Sequence, residues 1–334
     1  MSVAVSVIGY TRWANVTNRR LMNELPEGVR ARAPRQREIE AVVALIRECE
    51  EADEGHAEMT VDDVRSAWER ARFELKRDAW VVAAGGRLVG YADVWDREPG
   101  ARFVADGYVH PEFRGHGIGT FLVRAAEARA TERASAAGRT ISHTIFHGDE
   151  AAHRLLIAEG YVVAQHYWRM VMGVRSPPAE AEPPPEMAIR AFVPGQDDSA
   201  VWEVVQEAFS DNAEFTPKPY EEWAKFMVER DSFDPSLYLV ADANGEIAGV
   251  ALCPRYEGQA WVRQLAVRRG WRRQGVARAL MLTAFAEFQR RGYASVGLVV
   301  DSYNRTGARQ FYESLGMTVE RQHDRYEKNL GPRI

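Results

Sequence analysis

The sequence predicts an α/β chain that carries one fold twice. Its 334 residues are too many for a single ordinary core. One order of strands and helices runs through the first half and then runs again. Between the halves, Ser176 to Glu186 (SPPAEAEPPPE) is rich in proline and has no large apolar residue, so it packs no core and reads as an extended linker. The expected segments are an N-terminal extension over 1–24, a first domain over 25–174, the linker over 175–187 and a second domain over 188–334.

The elements follow in order. Val29 to Ala33 alternates as a short strand. Arg35 to Glu50 reads as a helix with Ile39, Val42, Val43 and Ile46 on one face. Thr60 with Asp63 signals the cap of a second helix, to Arg72. Ala79 to Ala84 and Leu88 to Trp95 are strands joined through Gly85 and Gly86, a hairpin signal. Phe103 to His110 is a strand, the loop from Arg114 leads into a helix, Thr140 to Phe146 is a strand, and Glu150 to Ala158 is a helix stopped at Gly160. Tyr161 to Met172 closes the first set. The second set holds a strand (Ala188 to Phe192), two helices (Ser199 to Phe209, Pro219 to Arg230) and a hairpin around Asn244 and Gly245. It continues with a strand (Ala260 to Val267), a helix (Gly275 to Arg291), a strand (Ser295 to Val300), a helix (Gly307 to Leu315) and a final strand pair over Met317 to Asn329. Arg114 answers to Arg272, Gly90 to Gly249 and Gly160 to Gly316 at nearly constant offset, the mark of an internal repeat.

Composition narrows the function. Hydrophobic content of 46%, charged content of 27% and a net charge of −5 describe a soluble globular chain with no electrostatic case for a nucleic-acid partner. The longest apolar run is far short of a membrane span. Cys49 and Cys253 are the two cysteines, far apart and without metal-type spacing, so the default setting is a reducing cytoplasm. His110, His143, His147 and His153 fit no zinc spacing and read as surface or loop histidines, so no metal is expected.

Both copies centre on a strand that runs into a small-residue loop and a helix. Arg272, Gly275 and Ala277 fall on R-x-x-G-x-G/A spacing, and Arg114, Gly117 and Gly119 repeat it. A helix entry leaves backbone N–H groups unpaired and adds positive potential, which makes a phosphate site. Small residues let the anion approach the backbone.

With that loop, the strand before it and the helix after it, the chain resembles the GNAT (GCN5-related) acyltransferase superfamily, in a tandem layout similar to that of the mycothiol synthases. In the second copy Asn304, Ala308 and the run Phe311-Tyr312-Glu313-Ser314-Leu315-Gly316-Met317 look like that superfamily's N…A…FYE-x-L-G-F/M segment. The resemblance implies two α/β (α+β) domains, each a mixed, mostly antiparallel, splayed sheet flanked by helices, and acetyl-CoA as cofactor. It implies that Leu265, Ala266 and Val267 meet the pantetheine arm. Arg272, Arg273, Gln274, Gly275, Val276, Ala277 and Arg278 would wrap the pyrophosphate, Asn304 and Ala308 would lie beside the arm, and Tyr312 would be the general acid. In the first copy Val109 and the loop of Arg114, Gly115, His116, Gly117, Ile118, Gly119 and Thr120 match the cofactor site. Leu156 stands where Tyr312 does, and about Gly148 where Asn304 does. That copy either still holds acetyl-CoA or serves as a structural partner.

Acetyl transfer to an amine needs the amine neutral, a donor for the carbonyl oxygen and a proton for the departing thiolate. Tyr312 answers the last need. Glu257, just before the loop-bearing strand, is either the base or a solvated hairpin charge, and Asp301 is a comparable candidate. Cys253 has no histidine near it in sequence, so direct attack in a ternary complex is expected rather than an acyl-enzyme. The early helices of the second copy would wall the acceptor pocket, with Glu214, Phe215, Tyr220 and Trp223 as lining. The related tandem enzyme has a glutamate at about the position of Trp261, which argues against the same acceptor. The expected function is acetylation of a small-molecule primary amine by a monomer or homodimer. The alternative is a non-catalytic acyl-CoA-binding or regulatory protein.

Overall fold

The computed structural model describes residues 25–135, 138–174, 183–184, 186–212, 215–256, 258, 260–302 and 307–331. The expected extension over 1–24 and most of the expected linker lie outside them. The chain divides into two compact units that are not contiguous in sequence. The first is residues up to Gln165 together with the segment from His323; the second is His166–Gln322. The expected break between two self-contained halves therefore differs from the observed division. Strand pairing is the reason: the last strand of each half completes the other unit's sheet.

In the first unit β1 (Val29–Arg32), β2 (Ala79–Ala84), β3 (Arg87–Glu98), β4 (Arg102–Val109) and β5 (Thr140–Phe146) form a sheet in that order. All its pairs are antiparallel except β4 with β5. Next to β5 comes the outer half of β13 (Thr318–Asn329), which pairs antiparallel with it from His323↔Phe146 to Asn329↔Thr140. β13 is one strand, not the strand pair expected. Helices α1 (Ile39–Glu54) and α2 (Val61–Trp68) pack Val42, Ile46 and Trp68 against Val81 and Tyr91 on one face. A single turn, α3 (Leu75–Asp78), leads into β2. Helix α4 (Ile118–Arg133) packs Phe121, Leu122 and Ala125 against Val82, Val94 and Phe103 on the other face, and α5 (Glu150–Ala158) follows β5. Neighbouring Val81 and Val82 thus reach opposite cores, as strand alternation requires.

Local chemistry sets the boundaries. The Thr60 hydroxyl accepts from Asp63 N–H while the Asp63 carboxylate accepts from Thr60 N–H, a reciprocal cap on α2. Gly85 and Gly86 (φ 57° and 85°) close the β2–β3 hairpin.

The second unit holds two sheets. β7 (Met187–Ala191), β8 (Tyr238–Ala243), β9 (Glu246–Leu252) and β11 (Gln264–Val267) form an antiparallel sheet. β12 (Ser295–Asp301) lies between β10 (Ala260–Trp261), parallel to it, and the second half of β6 (Val162–Gly173), antiparallel to it from Tyr167 to Gly173. Helices α6 (Asp198–Phe209) and α7 (Tyr220–Met227) cover one face of the four-stranded sheet with Val201, Val204 and Trp223 against Val240, Val250 and Ala266. Helix α8 (Val276–Arg290) covers the other with Leu280, Phe285 and Phe288, all 1% exposed or less. Each such fully buried side chain contributes about 1.5–3 kcal/mol. Helix α9 (Ala308–Ser314) precedes β13.

Candidate functional site

The sequence reads Ala260 to Val267 as one strand; the structure breaks it in two. Ala260 and Trp261 pair with Val296 and Gly297 of β12, and Val262 N–H donates to Gly297 O at 2.9 Å. From Arg263 on, the strand leaves β12 and pairs with β9 alone. Arg268 N–H donates to Ala248 O at 2.9 Å. Antiparallel residues alternate in facing their partner strand, so Ala266 and Gln264 share the phase of Arg268. Leu265 and Val267 then turn their backbone N–H and C=O groups away from β9, into the gap. Ala266 is different from its two neighbours, with its side chain 2% exposed in the core.

That gap is a cleft of about 930 Å³. Leu265 and Val267 line one wall, Leu298 to Asp301 another, and Gly307, Ala308, Phe311 and Tyr312 a third. Phe209, Asp211 and Asn212 close it from the end of α6. Tyr312 is half-buried, and burial pushes its hydroxyl above the ordinary phenol range. Asp301 accepts a hydrogen bond from Asn212 Nδ2 at 3.0 Å through one carboxylate oxygen; the other, Oδ1, is buried with no partner among the described residues. Oε1 of Gln264, another lining residue, is buried and likewise has none among them. Acceptors of this kind can take donors from water or from a bound molecule.

The loop from Arg272 to Arg278 also lines the cleft. Gly275, at φ 86°, is the N-cap of α8, and Arg273 takes φ 62°, a left-handed conformation rare for a side chain other than glycine. Successive turns of this kind point backbone N–H groups into a shared anion nest. The two arginines of the expected motif have separate tasks. Arg272 donates to Val267 O at 3.2 Å, Ala208 O at 3.1 Å and Asp211 at 2.6 Å. It staples the loop to the strand and to α6. Hydrogen bonds from Arg269 and Arg272 hold the Asp211 carboxyl down at about 2. Arg273 and Arg278 are exposed at the cleft and have no ion-pair partner among the described residues. Gln274 turns away to donate to Gly270 O at 2.8 Å, while Val276 is buried beneath the loop and Ala277 lines the cleft.

The first unit repeats the scaffold with different chemistry. Gly115 and Gly117 are left-handed at φ 79° and 80°, and Gly117 caps α4. Arg114 donates to Val109 O at 3.2 Å and to Asp53 through two bonds of 2.7 and 2.8 Å. β4 pairs with β5 only from Arg102 to Val104, so this strand splays too. Where Arg273 and Arg278 stand, however, this unit has Gly115 and Thr120. A Cβ placed at Gly119 would lie 3.0 Å from Leu155 Cδ2, so α5 closes tightly on the loop here. Ile118 is buried, and the His116 ring bonds Arg114 O at 2.9 Å.

The remaining expectations fall unevenly. Glu257, Asn304 and Glu214 lie outside the described residues. Phe215 stacks on Phe209, with centroids 5.9 Å apart, and so adjoins the cleft. Trp223 is 3% exposed in the α6–α7 core, and Tyr220 packs between Trp202 and Trp223; neither lines the cleft. Their helical spacing serves packing. Trp261 lies 4.9 Å under the Arg169 guanidinium. Cys253 is fully buried, which pushes its thiol up, and burial likewise raises Cys49 to about 12. Neither is a usable nucleophile. Asp211, Asn212 and Gln264 were missed. The repeat held the signal for Asp211, because Asp53 precedes Arg114 by the same interval as Asp211 precedes Arg272. No described helix is long and apolar enough to cross a membrane.

The model of the acetyltransferase (GNAT) family matches residues 39–170 and again 199–317. A mycothiol acetyltransferase of Streptomyces avermitilis is 30% identical over 301 residues, covering 84% of this chain and 88% of that protein. One from Thermobispora bispora is 31% identical, covering 84% and 92%. A third, from Cellulomonas flavigena, is 36% identical, but over only 51% of this chain and 49% of its own length. Among solved structures, a GCN5-related N-acetyltransferase from Sphaerobacter thermophilus superposes with a TM-score of 0.79 at 35% identity, over 93% of this chain and 98% of that one. A tandem GNAT protein from the clavulanic acid biosynthesis pathway shares the fold, with a TM-score of 0.70 at 17% identity over 92% and 100%.

Proposed function

The chain belongs to the GNAT acetyltransferase family, and from that premise we propose that its second unit moves an acetyl group from acetyl-CoA to a primary amine of a small molecule. One observation carries the reading: the strand over Ala260 to Val267 abandons β12 after Val262 and opens a cleft onto which Leu265, Val267, Asp301 and Tyr312 all face.

The cleft fits the cosubstrate. Its loop offers the N–H groups at Gly275 with the uncommitted Arg273 and Arg278 to phosphate oxygens. Its wall offers the strand edges of Leu265 and Val267 to the amides of an extended arm. Acetyl-CoA supplies an acetyl group already activated as a thioester. The residues of the chain do the rest. The unpaired backbone N–H groups of the splayed strand meet the acetyl oxygen as it gains negative charge. Tyr312 holds its proton throughout the neutral range, since its hydroxyl is raised, and that proton goes to the departing sulfur. Asp301, whose Oδ1 has no partner among the described residues, takes one proton from the acceptor's ammonium before attack, and the nitrogen's next proton restores Tyr312 as the amide forms and the thiol leaves. With both thiols buried, attack is direct.

The relatives' name does not carry their acceptor to this chain. Trp261, packed under Arg169, stands at the position where a glutamate was expected to touch that amine. The first unit keeps the loop but has neither the tyrosine nor the two free arginines, and it acts as a structural partner.

The experiment is CoA release across a panel of amines, with Tyr312→Phe beside the native chain. Acceptor-dependent release that falls about tenfold or more in the variant, near 1.4 kcal/mol of lost transition-state stabilisation, is expected, with little change in KM for acetyl-CoA. Release unaltered by the substitution removes Tyr312 from the mechanism. Tight acetyl-CoA binding without release to any amine would favour the binding-protein reading instead.

A further inference from the structure

His110, His143, His147 and His153, close in sequence, separate once folded. His143 is 6% exposed and pushed down to about 4 by burial. His110 contacts Arg87 at 2.7 Å and Glu48 at 3.3 Å. The other two come together. His147 follows β5, His153 lies on α5, and Asp324, 177 residues from His147 in sequence, comes from β13. His147 Nδ1 is 2.6 Å from Asp324 Oδ2, and His153 Nε2 is 3.7 Å from that same oxygen. One donor atom from each residue lies within 4.8 Å of both others.

We propose that His147, His153 and Asp324 form a zinc-class metal site that clamps β13 to the β5–α5 segment of the first unit. Three donors about 2.0–2.1 Å from a tetrahedral ion stand about 3.3–3.4 Å apart. The two distances to Asp324, 2.6 and 3.7 Å, bracket that spacing, and with all three donors within 4.8 Å, ring rotations draw them onto the ion. Two imidazoles and one carboxylate suit zinc rather than calcium or magnesium, which prefer oxygen donors throughout. Asp324 is 2% exposed, and a carboxylate so buried is stabilised by a cation. The His153 ring is already aimed: its Nδ1 lies 2.7 Å from the Tyr326 hydroxyl, the outer contact that fixes a ligating imidazole. His147 is exposed and gives the ion an entry path, with water as fourth ligand.

Binding requires those ring rotations, two proton relocations and release of the bond from His153 to His147 O. Without metal, His153 Nε2–H donates to His147 O at 2.9 Å. With metal, His153 carries its proton on Nδ1 and donates it to Tyr326, leaving Nε2 for the ion. His147 frees Nδ1 by holding its proton on Nε2, on the solvent side.

The test uses the full chain with any affinity tag removed, stripped by a chelator and titrated with Zn²⁺ against a chromophoric competitor. One ion per chain and a rise in Tm on loading are expected. His147→Ala and His153→Ala should each weaken binding about tenfold or more. His147→Ala removes the 2.6 Å partner of buried Asp324, so its metal-free Tm should fall, and its affinity is read on chains shown folded by circular dichroism. Absence of binding at micromolar free zinc overturns the proposal. Native-strength binding by His147→Ala overturns it as well.

Discussion

At the scale of single residues, Arg272 and Arg273 are neighbours with opposite duties. Arg272 is spent on Val267 O, Ala208 O and Asp211, so Arg272→Ala should lower Tm by loosening the loop from its strand. Arg273 has no ion-pair partner among the described residues. It occupies a left-handed conformation at φ 62° that costs about 1 kcal/mol or more in a residue other than glycine, and Gly115 takes its place in the first unit. Arg273→Gly should therefore raise KM for acetyl-CoA about tenfold at low salt, with the gap closing as salt is added, while Tm holds or rises. A fall in Tm with unchanged KM would make Arg273 a structural residue. The division was half legible. R-x-x-G-x-G/A gave the loop and its glycines, but spacing does not tell a staple from a phosphate ligand. That distinction depends on Asp211, which lies on a different element.

At the scale of elements, the splay depends on a close approach behind it. A Cβ at Gly249 of β9 would lie 2.9 Å from Ala266 O and 3.2 Å from the side chains of Val267 and Val276. Gly90 repeats this in the first unit, 3.0 Å from Ile118 and 3.2 Å from Val82. Gly249→Ala must push the loop-bearing strand outward. We expect a loss of about 1–3 kcal/mol in chemical unfolding together with a raised KM for acetyl-CoA; unchanged values for both would show the strand free to shift. Hairpins, caps and helix faces were readable because each rests on contacts a few residues apart. Asn244 and Gly245 turn left-handed at φ 55° and 92° as their pairing implies. The break after Val262 was not readable from pattern alone, because Ala260 to Val267 keeps one apolar rhythm across a change of partner. Trp223 and Tyr220, which do not line the cleft, meet a related limit: helical aromatics look alike whether they face a ligand or a core.

At the scale of the whole molecule, the repeat was legible and the exchange of last strands was not. Copy number is written in offsets, but which sheet a strand joins is a long-range choice. Deleting residues from His323 onward should damage the first unit although they lie beyond the second in sequence. It removes the pairing of β13 with β5 and the buried Tyr326, and we expect Tm of the first unit to fall on the order of 10 °C. An unaltered melting curve, followed by circular dichroism, would show that the β5 edge does not need its partner. The same exchange sets an order in time. Synthesis proceeds at roughly 10 residues per second, so β5 emerges and then waits some fifteen seconds, through the making of all of His166–Gln322, before its neighbour exists. The half of the protein that is born first is the half that matures last, and in that interval it carries an open sheet edge for which folding helpers and stray chains compete.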